Sequence, residues 1–149
     1  MIVAPDFESF EAAYRDGKAQ VVWTRLVADL ETPVSAMLKL CGDDPNTFLL
    51  ESVEGGAARG RYSIIGMAPD AIWRANGNKA ELNTRVQRDP DAFEACPGGA
   101  LKALRSFLEA SRIELPDGLP PMAAGVFGYM GYDTVRLVED LPDDRPDPV

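Results

Sequence analysis

The chain has 149 residues, 46% hydrophobic and 26% charged, with a formal net charge of −9. That length suits one domain burying about 68–70% of the unfolded chain's surface, and the composition excludes a collagen-like or wholly disordered polymer. The acidic balance argues against a nucleic-acid partner, which requires clustered Lys and Arg, and the absence of histidine excludes a Ser-His-Asp or Cys-His site.

Asp6 is a candidate helix cap, with Phe7, Phe10 and Tyr14 on one helical face and Gly17 where the helix should stop. Val21-Val22-Trp23 reads as a brief strand. A second helix has Thr32 at its cap and Pro33 at its first position, carries Val34, Met37, Leu38 and Cys41 at i, i+3, i+4, i+7, and ends at Gly42. After the turn Asp43-Asp44-Pro45-Asn46, the run Phe48 to Val53 predicts a strand, and a glycine-rich loop from Glu54 to Gly60 returns the chain into Arg61 to Met67 as its antiparallel partner. Asn76-Gly77 signals a second hairpin in which Ala75 pairs with Asn78, and Ala71 and Trp73 share a face with Ala80 and Leu82.

The stretch Asp89–Gly99 is polar and reads as a connection, followed by the clearest helix, Ala100–Arg112. After a proline-rich linker, Ala123–Asp133 is apolar and aromatic with glycine at every third position. It predicts a bent, buried strand running into a short helix at Thr134–Glu139. The order predicts an α+β fold of antiparallel β-hairpins packed with three main helices. The Pro/Asp-rich residues 141–149 read as a linker following a region 1–140.

Cys41 and Cys96 are too few and too far apart for a zinc cluster, and are expected to be two buried thiols. No stretch approaches 18 apolar residues and the N-terminus lacks a basic, then apolar, leader, which predicts a cytoplasmic protein with no membrane partner. Gly55–Gly60 has the glycine separation of a phosphate loop, but Arg61-Tyr62 opens a strand where Lys and a hydroxyl residue should open a helix. Glu51 is the conspicuous polar residue, because an unpaired carboxylate in an apolar strand is costly to bury. Alternation puts Phe48, Leu50 and Ser52 on one face and Leu49, Glu51 and Val53 on the other. Two readings remain open: Glu51 pairs with Arg59 or Arg61 across the hairpin, or Leu50 forms the wall of a small pocket whose polar groups are Ser52, Glu51 and nearby backbone.

Four ordered blocks, Asp29-Leu30-Glu31-Thr32-Pro33-Val34-Ser35-Ala36, Leu49-Leu50-Glu51-Ser52-Val53-Glu54-Gly55-Gly56, Gly60-Arg61-Tyr62-Ser63-Ile64-Ile65-Gly66 and Gly125–Asp133, resemble the N-terminal region of anthranilate synthase component I. The resemblance runs from about Asp6 to the last residue. It implies a regulatory part of a lyase of tryptophan biosynthesis that converts chorismate, with ammonia from a glutamine amidotransferase subunit and with magnesium bound, to anthranilate and pyruvate. The catalytic and metal residues are implied to lie in a C-terminal chorismate-binding domain, leaving this chain without catalytic residues or a cofactor of its own. The resemblance also implies a feedback site for L-tryptophan at Leu50, Glu51 and Ser52, with Arg61, Tyr62 and Ser63 on the adjacent strand. Apolar surface that the C-terminal domain covers in the family should stand exposed here. The same region of aminodeoxychorismate synthase component I, or a free-standing amino-acid-binding module, are the alternatives.

Overall fold

The structure, a computed structural model, describes residues 2–51 and 62–142. In chain order the elements are β1 (Val3–Ala4), α1 (Phe7–Arg15), β2 (Trp23–Thr24), α2 (Pro33–Cys41), β3 (Phe48–Glu51), β4 (Ser63–Gly66), β5 (Ile72–Asn76), β6 (Lys79–Asn83), β7 (Glu94–Cys96), α3 (Ala100–Ala110) and a 3-10 helix (Tyr132–Leu137). The α+β class with antiparallel strand pairs is as expected. The chain divides into two compact units, one comprising Met1–Arg25, Trp73–Leu82 and Glu94–Val149, the other Leu26–Ile72 and Asn83–Phe93.

In the first unit, α1 starts where its cap dictates: the Asp6 carboxylate accepts from the Ser9 backbone N–H at 2.9 Å and from the Ser9 hydroxyl at 2.9 Å. These bonds, led by the backbone one, hold the Asp6 carboxyl below its usual range. Gly17 follows the helix with φ 67°, a conformation that costs a side chain but not glycine. The return segment is tied down by Gln20 Nε2 donating to the Phe10 carbonyl at 2.9 Å, after which β2 pairs antiparallel with β1, Ala4 opposite Trp23.

The core of this unit is made of small residues. Ala80 on β6 and Ala100 and Ala103 on α3 are buried together, with Trp73, Cys96 and Leu137 packed around them. The start of α3 is capped from outside the helix, by Asn78 Oδ1 accepting from the Ala100 N–H at 2.9 Å. Gly99, at φ 88°, makes room for that cap, since a Cβ there would lie 2.6 Å from Asn78 Oδ1.

In the second unit, α2 carries a capping box. The Ser35 N–H donates to Thr32 Oγ1 at 3.0 Å, the Thr32 N–H donates to Ser35 Oγ at 2.9 Å, and Pro33 occupies the first helical position. Asn83 is fully buried and satisfied by its own loop, donating to the Asp89 carbonyl at 2.8 Å and accepting from the Arg85 N–H at 2.7 Å.

Several expectations need correction. The run Ala123–Asp133 is neither strand nor buried: it enters through turns, 126–131 has no regular structure, and Tyr129 and Tyr132 are 96% and 93% exposed. A strand requires a partner for its backbone, and none pairs with this run among the described residues. The second hairpin turns at Gly77-Asn78, one residue later than expected, placing Arg74 opposite Glu81, where guanidinium and carboxylate meet at 3.0 Å. Trp73, Ala80 and Leu82 keep a common face, because moving the turn by one residue changes which residues are opposite without inverting the alternation. β1 and β7 were not foreseen. Two- and three-residue strands carry too little periodicity to read, and β7 lies in the polar stretch taken as a connection. Cys41 is buried as expected but Cys96 only partly, and both are free thiols.

Candidate functional site

The residues singled out in sequence fall on β3 and β4. The strands form where apolar and β-branched residues, Phe48, Leu49, Leu50, Ile64 and Ile65, run together beside α2. β3 opens from a turn in which Asn46 adopts φ 59° and Thr47 Oγ1 donates to the Asp44 carbonyl at 3.2 Å. The strands pair antiparallel with Phe48 opposite Gly66, Leu49 opposite Ile65, Leu50 opposite Ile64 and Glu51 opposite Ser63. α2 packs on both strands, and at its end the buried Cys41 Sγ approaches Met67 Sδ at 4.0 Å.

This register sorts the candidates by face. Directly opposite residues share a face and neighbours along a strand alternate, so Phe48, Leu50, Ile64, Gly66 and, by continuation, Tyr62 lie on one side, and Leu49, Glu51, Ser63 and Ile65 on the other. Glu51 and Ser63, both exposed, are brought together as a polar pair. Leu50 is not beside them. It stands half-open on the apolar face, 50% exposed, with Tyr62 at 44%. Ser52 and Arg61, and the Arg59 considered as a partner for Glu51, lie outside the described residues.

Gly66 is required by the packing of this apolar face. A Cβ there would fall 2.1 Å from Cε1 of Phe48, so the Phe48 ring lies over Gly66 and occupies the space of the missing side chain. At the start of α2, the Glu31 carboxylate acts as a brace: Lys39 Nζ bonds Oε1 and the Ser35 hydroxyl donates to Oε2 at 2.7 Å. The lysine first, and then the serine, hold the Glu31 carboxyl below its usual range.

Among the described residues no three His, Cys, Asp or Glu side chains gather to hold a metal ion, and no helix is long and apolar enough to cross a membrane. The described residues of the hairpin offer an apolar row on one face and, on the other, an exposed carboxylate beside a hydroxyl. A shallow groove of about 240 Å³ in the first unit, lined by Leu108, Arg112, Ile113 and Val126 among others, contains none of the candidate residues.

The chain is 52% identical to an anthranilate synthase component 1 from Cereibacter sphaeroides over 96% of its own length, which is 29% of that protein. It is 40% identical to one from a Synechocystis species over 98% of this chain and 29% of the relative, and 39% identical to one from Mycolicibacterium smegmatis over 91% and 25%. The chain is homologous to the N-terminal region of anthranilate synthase component 1. It therefore spans less than a third of the length of these relatives. No family model and no solved structure matches it. The family named by the four sequence blocks is thus the one to which the relatives belong, and the blocks occupy the hairpin, the α2 cap and the exposed Gly125–Tyr132 run.

One residue of the hairpin escaped sequence reasoning. Ile64, opposite Leu50, was read only as part of a strand, because alternation within one strand does not reveal which residue stands across from it. A firm turn position would have supplied that register, and the ten-residue connection between Glu51 and Tyr62 offers none.

Proposed function

We propose that this chain is the N-terminal, regulatory part of an anthranilate synthase acting in the cytoplasm, and that it contributes half of an L-tryptophan feedback site while carrying no catalytic residue. In this reading the reaction, chorismate with glutamine-derived ammonia to anthranilate and pyruvate, belongs to a C-terminal chorismate-binding domain that holds magnesium and works with a glutamine amidotransferase subunit. The observation that carries the reading is the likeness to anthranilate synthase component 1 over nearly the whole chain; within it the β3–β4 register brings Glu51 beside Ser63 as an exposed carboxylate–hydroxyl pair, with Leu50 on the other face. Tryptophan has matching parts: an indole that gains from apolar contact, an ammonium that a carboxylate neutralises, and a carboxylate that takes donors from hydroxyls, backbone N–H groups or a guanidinium. On the exposed polar face Glu51 serves the ammonium and the Ser63 hydroxyl the carboxylate; Leu50, Ser52, Arg61 and Tyr62 are the remaining residues that the family resemblance assigns to the site.

Exposed apolar residues in the first unit support a missing covering partner. Val126, Met130 and the two tyrosines of the Gly125–Tyr132 run are exposed together, as expected of a surface that packs on the remainder of a longer protein. The test is Ser52→Phe in the full-length protein, whose activity should no longer fall when tryptophan is added; inhibition unchanged from wild type would overturn the assignment of Ser52. The 149-residue chain alone should neither convert chorismate nor take up tryptophan with more than weak affinity by calorimetric titration.

A further inference from the structure

We infer that Asn76 is a site of spontaneous covalent modification, deamidation to isoaspartate, and that this product releases the cap of α3. The step is internal to the chain and needs only water. The Gly77 nitrogen attacks Cγ of Asn76, so that a C–N bond forms and closes a five-membered imide, while Nδ2 leaves as ammonia with the proton that the attacking nitrogen gives up. Water then opens the ring. Attack at Cγ leaves aspartate, whereas attack at the main-chain carbonyl leaves isoaspartate, in which the chain runs through Cγ and is longer by a carbon. No electron is gained or lost.

Of the four asparagines in the chain, three are protected. Asn83 is fully buried, donating to the Asp89 carbonyl and accepting from the Arg85 N–H. Asn78 is held by its bond from the Ala100 N–H at 2.9 Å. Asn46 precedes Thr47, whose β-branched side chain crowds the nitrogen that would attack. Asn76 has none of these protections. It is exposed, and among the described residues neither its amide nor the Gly77 N–H has a hydrogen-bond partner. Gly77 has no side chain to shield its nitrogen, and beyond its chain neighbours nothing lies within 4 Å of where a Cβ would stand. Asn76 is also the last residue of β5, so bringing Cγ over the Gly77 nitrogen opens only the end of the strand pair.

The consequence for the fold comes from the neighbouring cap. Asn78 reaches Ala100 from a turn whose size is fixed by the short chain between β5 and β6. The fit is close, since a Cβ on Gly99 would lie 2.6 Å from Asn78 Oδ1. An extra main-chain carbon at position 76 enlarges the turn and moves Asn78 out of that fit, leaving the Ala100 N–H without its acceptor. Aspartate at position 76 adds a charge and leaves the turn its size.

The test holds the folded protein at mildly alkaline pH for days and maps it by peptide mass spectrometry, with isoaspartate detected as a methyl acceptor for an isoaspartyl methyltransferase and S-adenosylmethionine. Asn76 should convert first, at least severalfold faster than Asn46, Asn78 or Asn83, and Asn76→Gln should abolish the methyl acceptor on the peptide that contains it. Amide hydrogen exchange at Ala100 should be severalfold faster in the isoaspartyl protein than in the unmodified one, and unchanged in Asn76→Asp, which carries the charge without the extra carbon. Asn76 left intact over a time in which a free peptide spanning Arg74–Glu81 is converted would overturn the site, as would another asparagine converting before it. Exchange at Ala100 as slow in the isoaspartyl protein as in the unmodified one, or quickened equally by Asn76→Asp, would overturn the release of the cap.

Discussion

The helix α3 and the run Gly125–Tyr132 are both apolar, belong to the same unit, and have opposite fates. α3 closes its backbone hydrogen bonds within itself and buries Ala100 and Ala103 against Ala80, whereas Gly125–Tyr132 forms no regular element and leaves Tyr129 and Tyr132 almost fully exposed. A helix satisfies its own peptide groups and needs only a surface for its apolar face, while an extended segment needs another strand for every second pair of groups before burial can follow. Apolar composition therefore states what a segment would gain from burial, and the availability of a partner decides whether it is buried.

Substitutions at the two places should separate sharply. Ala103→Asp puts a carboxylate among the small and apolar side chains of Ala80, Trp73 and Leu137, where burial penalises its charge, and should cost about 3 kcal/mol or more, read as loss of cooperative thermal unfolding in the 149-residue chain. Tyr129→Ser, in the exposed run, should stay within about 0.5 kcal/mol of wild type. A large cost at Tyr129 would break the contrast, because it would mean that the run packs within this chain. Next in size is Asn83→Ala, which removes a fully buried side chain that ties a largely exposed loop, taking one partner from the Arg85 N–H and one from the Asp89 carbonyl, and should cost roughly 1–2 kcal/mol in the same measurement. Asn78→Ala, which removes the cap from the Ala100 N–H, should cost about 1 kcal/mol.

The same distinction explains what the amino-acid sequence disclosed. α1 and α2 were readable nearly to the residue because their caps lie beside them in the chain: Asp6 with Ser9, Thr32 with Ser35, Pro33 in place. α3 was readable from its apolar period, but its cap was not, because Asn78 is 22 residues away. The β3–β4 pairing was anticipated as a hairpin, and the Leu50-Glu51-Ser52 block is what singled out the candidate residues on it. The split of Leu50 from Glu51 follows from alternation, whereas the placing of Ser63 beside Glu51 and of Ile64 beside Leu50 depends on a register no local signal specifies. The exposed run was misread for the complementary reason: its pattern is that of a buried strand, and pattern carries no information about whether the other strand is present.

The smallest expected effect tests whether elements that complete themselves do so by different chemistry. At α1 the cap is ionisable, and Asp6, with its carboxyl held below the usual range by the Ser9 backbone and then side-chain bonds, contributes to helix formation fully above the unfolded value near pH 4. That contribution is lost as the pH falls through the lower folded value, where a protonated carboxyl accepts less well. At α2 the capping groups are the hydroxyls of Thr32 and Ser35, which do not titrate, and acid reaches that helix only through Glu31, whose carboxylate holds the Ser35 hydroxyl and Lys39. Amide NMR shifts followed from pH 6 to pH 2 should show the Ser9 N–H titrating with a midpoint below the usual aspartate value, and Asp6→Asn, which can still cap, should flatten that curve while keeping α1. The Ser35 N–H, bonded to Thr32 Oγ1, should move less, and Glu31→Gln should remove what movement remains. A Ser35 response as large as that of Ser9 and insensitive to Glu31→Gln would show that α2 depends on acid through some group other than its own cap, and would place it with the elements that need a partner.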